Sequence, residues 1–193
     1  MVSLLIVAAL AAPSFWEARP PSAWTAEEIE QLLTNSPWAQ VVEAPRKQGG
    51  IAVYLATARP ARQAEEELQR RRPQPPPVED AAAEEYREFL RENAGKVIVL
   101  AVRLPYTAAL RDDAEVRRME RDSVLRVGRR RFRMTGHFPP APLDPCLRLV
   151  FPREVRPDDR TLRFELYLPG LPNPYRWAEF RLNEMKYKGA VEY

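Results

Sequence analysis

The sequence predicts an α+β fold: an antiparallel or mixed β-sheet with helices packed on one face. Three observations predict it. Apolar residues at helical spacing dominate the first half, strict apolar–polar alternation dominates the second, and no internal repeat runs between them. At 193 residues the chain is long enough for one well-buried core. With 45% hydrophobic and 30% charged residues, it has neither the composition of a disordered tail nor that of an integral membrane protein.

Residues 2–12, VSLLIVAALAA, form an uncharged apolar run. It is far shorter than the ~20 residues of a spanning helix and ends in the small residues that signal peptidases inspect. A signal peptide over residues 1–11 is expected, followed by a Pro-containing linker over 12–24 and a single domain over 25–193. The location that follows is extracytoplasmic, with no lipid anchor or spanning segment indicated.

Within the domain, Thr25 and Glu28 have capping-box spacing, and Ile29, Leu32 and Leu33 form the stripe of the helix that follows. Asn35 stops it. Ser36 and Pro37 are expected to cap a second short turn that folds Trp38 into the core. Gln40–Ala44 and Ile51–Ala58 read as strands joined by the RKQGG loop. A helix from Pro60 to about Arg72 precedes the stiff PQPPP connector. Another, from Asp80 to Asn93, carries Tyr86, Phe89 and Leu90 on one face and stops at Gly95. The run VIVLAVRL over 97–104 is expected as a central strand covered on both faces. A short charged helix follows over 110–121.

The second half is built of hairpins. Leu125, Val127, Phe132 and Met134 share one side of a hairpin that turns at Gly128-Arg129, Leu147–Phe151 is a strand, and Asp158-Asp159 is a turn. Leu162, Phe164, Leu166 and Leu168 alternate with Arg163, Glu165 and Tyr167, and the returning strand alternates Ala178, Phe180 and Leu182 with Trp177, Glu179 and Arg181. Across that hairpin Arg163 and Glu165 can pair with Glu179 and Arg181.

The segments WTAEEIEQLLTNSPWAQ (24–40), YLATARPARQA (54–64) and RLNEMKYKGAVEY (181–193) resemble those of a group of uncharacterised exported proteins of soil bacteria that carry an SPWA segment near the mature N-terminus. The resemblance covers about a third of the chain. It implies export and a shared fold, and it brings over no site residue.

Residue counts exclude much chemistry. The single histidine, His137, lies in the loop-like MTGHFPPAP, and the single cysteine, Cys146, opens an apolar strand. A zinc centre or a His-based triad has too few ligands or partners, and Cys146 reads as a buried, inert thiol. The Asp112-Asp113 and Asp158-Asp159 pairs lack the supporting carboxylates of a calcium loop. No phosphate-cradling Gly-rich motif occurs. No catalytic residue, metal ligand or cofactor site is therefore assigned.

Two features point to binding. RVGRRRFR over 126–133 would turn Arg126, Arg131 and Arg133 outward together, with Arg129 at the turn, as a compact basic ribbon suited to anionic lipid, glycan or nucleic acid. The competing reading is an ordinary solvated strand face beside Glu115, Glu120 and Asp122. General Arg abundance has its own plain source: 30 Lys and Arg oppose 27 Asp and Glu, for a net charge of only +3, and Arg, Ala and Pro together are what GC-rich codons favour. Trp177 is the second feature, because alternation points it outward. Trp16, Trp24, Tyr175 and Tyr187 are further aromatic candidates for a carbohydrate or partner surface.

The function this favours is an exported, non-enzymatic domain that binds a partner or supports the envelope. The partner would be a protein or an anionic envelope component, with nucleic acid disfavoured outside the cytoplasm. A glycosidase-like hydrolase working through carboxylates alone stays open, as does attachment to an anionic surface through Arg126–Arg133.

Overall fold

A computed structural model describes residues 14–43, 50–73, 81–93, 95–104, 108–141 and 144–193. The apolar N-terminal run, nearly all of the RKQGG loop and nearly all of the PQPPP connector lie outside them.

The fold is α+β, helices mostly first and strands mostly last, and every strand pairing is antiparallel. The helices are α1 (Phe15–Ala18), α2 (Ala26–Thr34), α3 (Arg59–Arg71), α4 (Ala81–Asn93) and α5 (Asp113–Asp122). The strands are β1 (Ala39–Glu43), β2 (Gly50–Leu55), β3 (Val97–Arg103), β4 (Val124–Val127), β5 (Arg130–Arg133), β6 (Gly136–Phe138), β7 (Cys146–Pro152), β8 (Thr161–Tyr167), β9 (Tyr175–Arg181), β10 (Lys186–Tyr187) and β11 (Ala190–Val191).

The expected single sheet is in fact divided. A five-stranded sheet has the order β1-β2-β3-β7-β6, a four-stranded sheet has the order β5-β4-β8-β9, and β10-β11 form a small hairpin. The reason lies in the middle strand. Ile98 to Val102 of β3 are all fully buried, so both faces of the five-stranded sheet need cover. Ile98, Leu100 and Val102 align with Phe151, Leu149 and Leu147 of β7. The four-stranded sheet covers that face: Phe151 packs on Phe164 with ring centroids 5.3 Å apart, and Phe164 packs in turn on Phe180 of its own sheet at 5.9 Å. The opposite face meets the helices: Phe138 of β6 packs on Tyr86 and Phe89 of α4 at 5.2 and 5.1 Å. Helices α2, α3 and α4 lie over the five-stranded sheet, and α5 packs on β5 and β8 of the four-stranded sheet, where Glu115 and Arg118 meet Tyr167.

Local chemistry explains several ends. Thr25 caps α2 by accepting the Glu28 N–H, and the Glu28 carboxylate accepts the Thr25 N–H in return. Asp112, expected only as a turn residue, caps α5 by accepting the Ala114 N–H at 2.8 Å. Its helix therefore starts at Asp113, after a separate 3₁₀ turn over Ala108–Arg111. At Ser36 no second helical turn forms. Ser36 and Ala39 exchange backbone hydrogen bonds, and the Ser36 hydroxyl accepts the Trp38 N–H. Trp38 is the expected anchor, fully buried, with its indole N–H donated to the Glu192 carbonyl at 2.8 Å. Gly128, at φ 59°, makes the β4–β5 turn in the left-handed region that favours glycine.

Residues 14–24 do not run free as a linker would. Phe15–Ala18 is helical, Pro21–Ala23 forms a 3₁₀ turn and Trp24 is buried. Trp16 packs edge-on against Trp38 at 5.6 Å. The loop expected around His137 contains strand β6, which borders β7.

Candidate functional site

The four-stranded sheet turns one face to the core and one outward, and alternation decides which residue goes where. Leu125, Val127, Leu162, Phe164, Leu166, Ala178 and Phe180 are buried. The opposite face carries Arg131 and Arg133 on β5, Arg126 on β4, Arg163 and Glu165 on β8, and Trp177 and Glu179 on β9. Register arranges them in two transverse rows. Arg131, Arg126, Arg163 and Glu179 are consecutive cross-strand neighbours, and so are Arg133, Val124, Glu165 and Trp177. The basic ribbon and the outward tryptophan, read separately from sequence, therefore share one surface.

Charge on this surface is unevenly compensated. Arg126 pairs with Glu165, and Arg163 pairs with Glu179 at 2.6 Å. Of the two cross-strand pairs expected, Arg163–Glu179 forms. Arg181 instead turns to Glu184 at 3.0 Å. Arg129, Arg131 and Arg133 have no ion-pair partner among the described residues, and Glu115 and Asp122 are committed elsewhere, to Tyr167 and to Arg118, Arg121 and Tyr175. Arg130 points the other way, onto Asp159 and the Glu154 carbonyl. Trp177 is 60% exposed and Tyr175 is 43% exposed. Of the other aromatic candidates, Trp24 and Tyr187 are buried and Trp16 is half-buried, so they offer no open surface.

A second polar constellation lies between the five-stranded sheet and the helices, and sequence reasoning missed it. Arg148 of β7 is almost completely buried, with its side chain 4% exposed. It donates to Glu65 of α3 at 2.8 Å and to Asp144 through two nitrogens at 3.1 and 2.7 Å. Its guanidinium lies 4.1 Å from the ring centre of Tyr86, within cation–π range. Tyr54 donates to Glu65 at 2.5 Å, and its oxygen lies 3.4 Å from the Cys146 sulfur. Burial raises the Tyr54 hydroxyl well above its ordinary value and pushes the Cys146 thiol up to about 11.

A narrow cleft of about 220 Å³ reaches this cluster past Leu33, Leu68 and Gln69. Glu65 and Asp144 meet there, but both grip Arg148, so the pair is occupied by a fixed cation. A deprotonated thiolate, the nucleophilic form, is disfavoured at Cys146. The cluster is a buried ionic clamp holding α3 to β7. The signal that could have found it is one arginine in the otherwise apolar strand LRLVF.

His137, expected in a loop, stands on β6 with its Nδ1 3.3 Å from Glu120 of α5. Among the described residues no three His, Cys, Asp or Glu side chains gather as a metal site, and no helix is long and apolar enough to cross a membrane. No family model, curated protein or solved structure matches this chain.

Proposed function

We propose that the chain is an exported, non-enzymatic binding domain whose partner is an acidic polysaccharide of the extracytoplasmic envelope, met on the outer face of the four-stranded sheet. The observation that carries this reading is the convergence of Arg126, Arg129, Arg131 and Arg133 with Trp177 on and beside that one face. Arg131 and Arg133, two residues and ~7 Å apart along β5, together with Arg129 at its turn present the uncompensated cations to a chain of anions, while Arg126 and Arg163 are held by Glu165 and Glu179. Trp177 adds a flat ring at the far side, able to lie against a sugar. Export rests on the uncharged run VSLLIVAALAA and on the resemblance to exported proteins of soil bacteria.

The test is retention of the full chain on immobilised dextran sulfate, with neutral dextran and phosphatidylglycerol vesicles as the other arms. Retention on dextran sulfate should fall with salt. It should drop on the order of tenfold in R129Q/R131Q/R133Q, since each lost arginine removes one anion contact, and W177A should weaken it further. Retention unchanged in the triple variant would refute the surface. Binding confined to vesicles and lost in the triple variant would replace the glycan by a membrane surface. Intact Met1 on protein recovered from the cytoplasm would refute export.

A further inference from the structure

We propose a second, separate binding site in the groove at the end of the four-stranded sheet, built for a phosphate monoester with an apolar body. The loop over residues 153–160, between β7 and β8, forms one wall. The end of β9 and the β10–β11 hairpin form the other. The groove encloses about 820 Å³, within the ~300–1,000 Å³ of small-molecule sites.

Its lining divides into two kinds. The apolar part comprises buried Leu182, half-buried Val155 and Tyr193, and Val191, one of the few exposed large hydrophobic residues. The Tyr193 ring is fixed under the Arg153 guanidinium at 4.2 Å. The charged part is Arg156, Arg160 and Lys186, all exposed and none in an ion pair among the described residues. The other charges at the groove are already occupied. Arg181 is held by Glu184. Asp159 accepts from Arg130 and from the Arg156 N–H. Asp158 is the one lining side-chain carboxylate left against these three cations, so the groove keeps a net positive charge.

That surplus selects the ligand. A phosphate monoester carries ~−1.5 to −2 near neutral pH and offers oxygens that match the arginine fork. A carboxylate offers two oxygens to the three cationic groups Arg156, Arg160 and Lys186, and a phosphate monoester offers three. Inorganic phosphate would satisfy the charge and leave Leu182, Val191 and Tyr193 in water. Only a ligand with both parts uses both halves of the groove. The inference is independent of the sheet-face reading, because Arg131, Arg133 and Trp177 do not line the groove.

Calorimetric titration of the full chain with phenyl phosphate, benzoate and inorganic phosphate tests it. Phenyl phosphate should bind with submillimolar affinity, and about tenfold or more tighter than either of the others. R160Q/K186Q and, separately, R156Q should weaken it on the order of tenfold while leaving the melting temperature in place. V191S should weaken phenyl phosphate and leave inorganic phosphate unchanged. R131Q/R133Q should alter nothing here, which separates this site from the sheet face. Absence of phenyl phosphate binding at millimolar concentration, equal binding of inorganic phosphate, or binding that survives both cation variants would each overturn the proposal.

Discussion

Replacing Arg148 by Met tests the ionic clamp. The substitution keeps an unbranched apolar stem beside Tyr86 and removes the charge. It leaves Glu65 with the Tyr54 hydroxyl but no cation, and strands Asp144; their side chains are only 15% and 19% exposed. A carboxylate left unpaired at that depth costs about 2 kcal/mol, less than a fully enclosed one because some water reaches it. Two of them make about 4 kcal/mol. Loss of the cation over the Tyr86 ring adds about 1 kcal/mol, which the methionine stem recovers by covering the same ring. The net expectation is about 4 kcal/mol, or a fall of roughly 8–16 °C in Tm for a domain of this size. Urea unfolding followed by tryptophan fluorescence measures it. The triple variant R148M/E65Q/D144N removes the stranded charges and should regain at least half of the loss. A cost below about 1 kcal/mol for R148M, or a triple variant no more stable than the single one, would refute the clamp.

Three further outcomes are expected. Cys146 should resist a disulfide reagent at pH 8 in the native protein, because a thiol pushed up to about 11 by burial is only about one part in a thousand thiolate there. Fast stoichiometric labelling without denaturant would contradict it. Thr25→Ala should cost about 1 kcal/mol through loss of the capping box, read from the urea midpoint, and an unchanged midpoint would show the cap to be idle. Glu67 is held below its ordinary value by hydrogen bonds from Arg70, and further by Arg71. Its folded form gives up the proton more readily than its unfolded form, so its stabilisation is complete above pH ~4.5 and is lost as pH falls below that. Wild type should therefore exceed E67Q in stability at neutral pH, and the two should converge in acid. A gap that stays constant with pH would contradict it.

What was legible in the sequence was what one strand or helix decides alone. The β8–β9 alternation places Leu162, Phe164 and Phe180 inward and Trp177 outward, because one face meets a core and the other meets water. The same logic exposed Arg131 and Arg133. Thr25 and Glu28 announce a helix start because the cap needs only residues three apart. Illegible features depend on partners distant in sequence. Arg148 meets Glu65 across 83 positions and Tyr54 lies 92 positions from Cys146, so no local pattern marks the clamp. Division into two sheets depends on which strands share an edge. Strand β6 is three residues among glycine and prolines, and it takes its conformation from β7. The groove is assembled from segments on three separate connections, and its charge surplus shows only once Asp159 and Arg181 are seen to be engaged elsewhere.

The indole of Trp38 reaches the Glu192 carbonyl, Arg59 meets the Glu192 side chain, and Glu17 accepts the N–H of Lys188. These contacts bear on when the domain can close. A chain threaded in order from its first residue presents Trp16, Trp38 and α3 long before residues 185–193 arrive. Its hydrophobic centre stays open on that side until Met185 and Tyr187 take their buried places. Removing residues 185–193 would take away buried Met185 and Tyr187 together with the partners of Trp38, Arg59 and Glu17, and would cost far more than the length of the segment suggests.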